Sequence, residues 1–202
     1  AGELQRAYRY ALLAGEVAIG RGSLREADEQ LGQALRIEAQ AAPTLLFRVR
    51  LRRLLGQVQL SLGRIDDCMR TTEEGLQQVG LPLPVSSSEL ALSLLRNLLT
   101  QGAHRLDERG WLGRSLSHHF DPGLSPELLH EAQWLFVVHA EVALYLFSDQ
   151  RLFYCALAAA NVADQLNDVG QRITSYAALA YTAGMVSLPQ ISPAAVAAFV
   201  AV

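Results

Sequence analysis

The first candidates for chemistry in this 202-residue chain are its histidines. The stretch "HHFD" places His118, His119 and Asp121 together among turn-forming residues. Imidazole and carboxylate both bind zinc, but a zinc site takes roughly three or four ligands held by a second shell of hydrogen bonds. No further ligand is spaced to complete the set, so these read as surface or packing residues. "HEAQWLFVVHAE" offers His130, Glu131 and His139, but not the H-E-x-x-H pattern of a metallopeptidase. The separation of the two histidines is about two and a half helical turns, which sets them on opposite faces. They read as structural.

"FRVRLRR" gathers Arg48, Arg50, Arg52 and Arg53. At about 100° per residue these spread around a helix and form no single basic stripe, which argues against a nucleic-acid surface. Ser, His and Asp all occur, but no nucleophile-elbow sequence does. The chain has no lysine, since all 17 of its basic side chains are arginine. That excludes a Schiff-base lysine and a phosphate-loop lysine. Cys68 and Cys155 lie far apart in apolar helical contexts, so a reduced cytoplasmic protein is expected, not a disulfide framework. The expectation is a protein that is not an enzyme and holds no metal or cofactor.

The elements that would position any site are helices. Half of the residues are hydrophobic, Ala and Leu dominate, and β-branched residues are few. The net charge is -3. Residues 1–80 carry 11 Arg against 10 acids and the rest 6 Arg against 10, so neither half has the positive excess of a nucleic-acid or membrane-surface binder. No stretch reaches the roughly 18 apolar residues of a membrane span. Both ends of the chain read as helix, as expected of a piece cut from a longer protein. Ser23–Glu26, Ser86–Glu89 and Asp168–Gln171 have capping-box spacing. Ser125-Pro126 and Ser192-Pro193 place a capping hydroxyl before a proline suited to a first turn. Gly22, Gly63 and Gly80 suit helix C-terminal positions. These signals predict helices over 3–21, 23–39, 43–62, 64–79, 87–104, 126–147, 150–166, 170–187 and 192–202, an all-α fold of about nine helices. The organisation expected is two long helix pairs in 1–80, a linker or cover element in 81–125, made of one helix and an irregular loop and pinned to the core by Trp111, and further helix pairs in 126–202.

The segment "GEVAIGRGSLREADEQLGQAL" repeats. Gly15, Gly22, Ala27, Ala34 and Leu35 recur as Gly56, Gly63, Cys68, Gly75 and Leu76, each 41 residues later. Small residues at such spacing let helix axes approach to about 8 Å. Gly15, Ala27, Ala34, Gly56, Cys68 and Gly75 are therefore the expected packing positions of the repeat. A third copy fits "LYLFSDQRLFYCALAAANVADQL", with Cys155 or Ala156 at the first small position of its second helix and Val162 or Ala163 at the next.

This pattern resembles the tetratricopeptide repeat (TPR), whose usual period of about 34 residues is here lengthened by close to two helical turns. Together with "GLQQVGLPLPVSS", "LRNLLTQGAHRL" and "AANVADQLNDVGQRITSYAALAYTAGMV", the chain is similar to the TPR-like region of large bacterial signalling proteins. Those proteins join a AAA/STAND-type ATPase to a kinase or nucleotide-cyclase domain. The resemblance implies a right-handed α-solenoid of antiparallel helix pairs. It implies a scaffold or regulatory arm that binds protein, peptide or other domains of its own chain, with catalysis located elsewhere. It places Arg9, Leu12 and Glu16 of the first repeat, and Arg50, Arg53 and Gln57 of the second, along the groove. The carboxylate clamp of chaperone-binding members is absent, because Leu12/Glu16 and Arg53/Gln57 stand in its places. The helix bearing Leu95, Leu98 and Leu99 is a candidate filler of that groove. A second reading stays open, a ligand-sensing domain of a bacterial transcription regulator with Trp134, Tyr145, Tyr154 and Tyr181 around a small molecule.

Overall fold

The structure is a computed structural model that describes residues 2–108, 123–166 and 168–185. Among these residues it is all helical: α1 (Gly2–Gly20), α2 (Leu24–Ala41), α3 (Leu45–Ser61), α4 (Ile65–Gln78), α5 (Ser87–Glu108), α6 (Pro126–Tyr145), α7 (Asp149–Leu166) and α8 (Val169–Met185). The expected helix over 192–202, the "HHFD" stretch and Trp111 lie outside the described residues. The described helix ends fall within a few residues of those read from the caps. No helix of the described residues is long and apolar enough to cross a membrane.

The reversals explain why the helices stop. At Gly22 the backbone turns left-handed, φ 75°, and the Ser23 N–H donates to the Ala18 carbonyl at 2.9 Å. Gly63 repeats this at φ 75°, with Arg64 N–H donating to Gln59 at 2.8 Å. Gly80 does so again after α4, with Leu81 N–H bonded to Leu76. These are Schellman caps, and glycine enters a left-handed position without Cβ strain. The fourth, between α6 and α7, has Phe147 at φ 52° in the glycine position.

The N-terminal signals fare unequally. Ser86 and Glu89 form a full capping box: Glu89 N–H donates to Ser86 Oγ, and Glu89 Oε2 accepts from the N–H groups of Ser86 and Val85. Those backbone donors hold the Glu89 carboxyl below the usual range. Ser125 Oγ accepts from Leu128 N–H, ahead of Pro126. Asp168 accepts from Gln171 N–H, while the Gln171 amide turns away to His130 Nδ1 at 3.0 Å. At Ser23 the expected box does not form, and its side chain makes no cap hydrogen bond. There the preceding Schellman cap already fixes the chain.

The chain divides into two compact units, residues 1–82 and 83–202. In the first, α1 packs on α2 and α3 on α4, with α2 on α3 and a smaller contact between α1 and α3. Its core gathers Tyr8, Leu12, Leu31, Leu51, Leu54 and Val58. The six small positions of the repeat are all buried: Gly15, Ala27, Ala34, Gly56, Cys68 and Gly75. Gly15 is a true close approach, since a Cβ there would stand 2.6 Å from Leu31 Cγ and Cδ2.

In the second unit α7 is the centre, packed by α5, α6 and α8. The helix expected as a linker or cover element, α5, lies in this unit and packs on α7. Asn97 and Gln101 tie it to α7: Asn161 Nδ2 donates to Asn97 Oδ1 at 2.8 Å, and Gln101 Nε2 donates to Asn161 Oδ1 and to Asp164 Oδ2. Tyr176 Oη from α8 closes the network on Asp164 Oδ2 at 2.6 Å, and Arg172 pairs with its other oxygen at 3.3 Å. Matching the α6–α7 cap to the other two places Leu152 and Ala159 opposite Ala27/Ala34 and Cys68/Gly75. The expected Cys155/Ala156 and Val162/Ala163 lie about one turn further along α7 than that match, in which Phe147 takes the place of the cap glycine. All of these α7 positions are buried.

Candidate functional site

Five of the six expected groove residues lie at least partly exposed on α1 and α3. Arg9 and Glu16 are two turns apart on α1, so they share one stripe. Arg9 lies over the Phe47 ring, 5.0 Å from its centroid, a cation–π geometry. Glu16 pairs with Arg53 across the helices at 4.0 Å. Gln57 is exposed one turn further along α3, and Arg50 is half-buried. Leu12 corrects the expectation: it is 3% exposed and belongs to the core. Its offset from Arg9 by three residues rotates it about 60° around α1, into the core of the first unit.

The arginine cluster goes to separate partners, as its angular spread requires. Arg53 faces Glu16 on α1, whereas Arg52 turns inward and is 8% exposed. Arg52 Nη1 donates to Glu38 Oε2 at 2.7 Å and its Nε to Glu74 Oε2 at 3.1 Å. One guanidinium thereby ties α2, α3 and α4. Local patterning missed this role, because the two carboxylates lie 14 and 22 residues away in sequence. Beside it the Tyr8 hydroxyl donates to the Phe47 carbonyl at 3.1 Å. Burial, with the Glu38 charge nearby, raises the Tyr8 phenol above its usual range and keeps it a neutral donor.

The second unit holds buried polar groups, His139 among them. His139 lines a cavity of about 10 Å³ with Arg151, Tyr154 and Cys155. Burial, reinforced by Arg151, depresses the imidazole to about 4, so it is neutral near pH 7. Burial likewise raises Tyr154 to about 12. A histidine beside a cysteine could serve nucleophilic chemistry. Ligand pockets, however, run to about 300 Å³ and above, and this space is the size of one water. Gln133 Nε2 bonds Ser175 Oγ at 2.9 Å, joining α6 to α8. Among the described residues no three His, Cys, Asp or Glu side chains gather as a metal site. Cys68 and Cys155 are both free and buried.

Of the four aromatics of the ligand-sensing reading, Trp134 is half-buried on α6. Tyr145 and Tyr181 are exposed, while Tyr154 stacks edge-on against Phe136 at 6.4 Å. Leu95, Leu98 and Leu99 are exposed on α5. What stands out instead is the α1/α3 face, a polar stripe with one aromatic, built on two hairpins of like design. Comparison with known proteins gives no family model, no curated relative and no solved structure that matches the chain.

Proposed function

We propose that this chain is a non-catalytic, TPR-like module, a right-handed α-solenoid of antiparallel helix pairs. It mediates protein–protein or interdomain contacts in a larger cytoplasmic signalling protein of bacterial type, whose ATPase and kinase or cyclase activities reside in other domains. The observation that carries this reading is the equivalence of the α1–α2 and α3–α4 hairpins. Gly22 and Gly63 share φ 75°, their Schellman bonds are 2.9 and 2.8 Å, and Ala27 and Cys68 are both fully buried five residues on. A contact between the first helices of successive pairs, α1 with α3, is what a solenoid groove requires.

The working surface in this reading is the α1/α3 stripe of Arg9, Glu16, Arg53 and Gln57. Its charges are mostly met within the stripe, which suits a polar peptide or a neighbouring domain better than a nucleic acid. A steady-state nucleotide-hydrolysis assay on the purified chain tests the non-catalytic claim. No turnover above buffer is expected. Turnover that disappears on changing one polar residue, for example His139→Gln, would overturn it.

A further inference from the structure

Four apolar residues of α1 face solvent: Tyr10, Leu13 and Val17 are 71%, 57% and 44% exposed, and Ala14 is exposed among them. Spaced i, i+3, i+4 and i+7, they share one side of the helix. One period of 41 residues later these positions hold Leu51, Leu54, Leu55 and Val58 of α3. There all four are buried, in a core shared with residues of α1 and α2. The stripe is thus apolar on both helices, covered on α3 and bare on α1. A contiguous apolar face left in water marks an interaction site. The two helices differ at the flanks of the stripe, and those differences select what covers α1. Ala7 and Ala14 stand where α3 has Arg48 and Leu55, and Glu16 stands where α3 has Gln57. Arg9 keeps its counterpart in Arg50.

These residues suit a second copy of the same helix laid antiparallel. With Tyr10 against the partner subunit's Leu13, the stripes meet as the a and d positions of a short coiled coil. The same register sets Arg9 opposite the partner subunit's Glu16 along one edge, and Ala7 opposite the partner subunit's Ala14 along the other. Two-fold symmetry makes each of these contacts twice. Opposite charges therefore face each other, and the paired alanines let the axes approach to the close end of the usual range, about 8 Å. The aliphatic stem of Arg6 covers the partner subunit's Val17. Arg6, Ala7, Arg9 and Glu16 are all exposed. The pair that Glu16 makes with Arg53 is long, at 4.0 Å, and leaves 45% of the Glu16 side chain open. We propose that this chain self-associates through α1, as an antiparallel two-fold pair that buries Tyr10, Leu13, Ala14 and Val17 between the subunits. Two turns of helix from each subunit make an interface below standard size, so the dimer is weak, with a Kd of about 10–100 µM. The pairing rests on the match of α1 with α3 and not on the proposed signalling role.

The test is sedimentation velocity of the whole 202-residue chain from about 5 to 500 µM. A monomer that gives way to a dimer with rising concentration is expected. Leu13→Glu puts a charge into the centre of the interface and should weaken the dimer by about tenfold or more. Arg9→Glu sets like charges against each other and should weaken it by about three- to tenfold. Arg9→Glu/Glu16→Arg exchanges the two charges and should bring association back to that of the parent. A parent that stays monomeric throughout, a dimer untouched by Leu13→Glu, or a charge exchange no better than Arg9→Glu alone would each overturn the pairing. So would a series of ever larger species, which is the mark of an open head-to-tail contact. Should Leu13→Glu fail to fold, the charge exchange, made at two exposed positions, decides.

Discussion

Ala27 and Cys68 are fully buried at equivalent places after equivalent caps, and Gly15 stands with no room for a Cβ beside Leu31. These residues act through their small volume. Ala27→Trp forces an indole into a packed site and should cost about 3 kcal/mol in urea unfolding. Glu16→Ala removes the exposed side of a long pair at 4.0 Å and should stay within about 0.5 kcal/mol. Similar midpoints for the two variants would mean that the repeat register is misassigned. His139 gives a second residue-scale prediction. Its imidazole titrates at about 4 when folded, against about 6.5 in an unfolded chain. Above pH 6.5 it is neutral in both states and adds no pH dependence. As pH falls from there toward 4, the unfolded state takes up the proton first, so stability declines, by about 3 kcal/mol in all. His139→Gln should remove that part of the acid limb. An unchanged slope would show that the imidazole is not held neutral by burial.

At the scale of elements, chain reversal is the recurring device. Three of the four Schellman caps use glycine, whereas the fourth holds Phe147 at φ 52° with 91% of its surface exposed. A left-handed non-glycine residue costs about 1–2 kcal/mol, and this side chain has almost no packing to lose. Phe147→Gly should therefore stabilise the fold by about 1 kcal/mol, read as a higher urea midpoint. A lower midpoint would mean that the ring makes contacts that matter. Helix type and extent were legible because glycine, proline and capping residues act locally, as at Gly63 and Ser86. The Ser23 box was misleading because its spacing is the same whether or not the preceding cap already satisfies the chain. Arg52 and Leu12 were not legible as core residues. An arginine is buried here with Glu38 and Glu74 arriving from other helices, and Leu12 is buried in a core shared with residues of α2 and α3. The partners of α5 were not legible for the same reason: Gln101 and Asn97 meet Asn161, 60 and 64 residues away in sequence.

At the scale of the molecule, each of the two units owns a core, and the second is tied internally by the Asn97–Gln101–Asn161–Asp164–Tyr176 network. Among the described residues no three His, Cys, Asp or Glu side chains gather as a metal site. Within the first unit the paired hairpins leave Arg9, Glu16 and Gln57 exposed on adjoining helices, while Arg52, one residue from Arg53, is spent on the interior. The central claim is that this α1/α3 stripe is the contact surface of an interaction module. Its most direct test is affinity capture from an extract of the source cells, comparing the unaltered chain with Arg9→Glu/Gln57→Glu. Both side chains are exposed, so the double variant should match the parent's melting temperature within the range of ordinary surface changes. The account predicts that a partner captured by the parent is lost by the variant. Capture of the same partner by both chains, at equal yield, would contradict it.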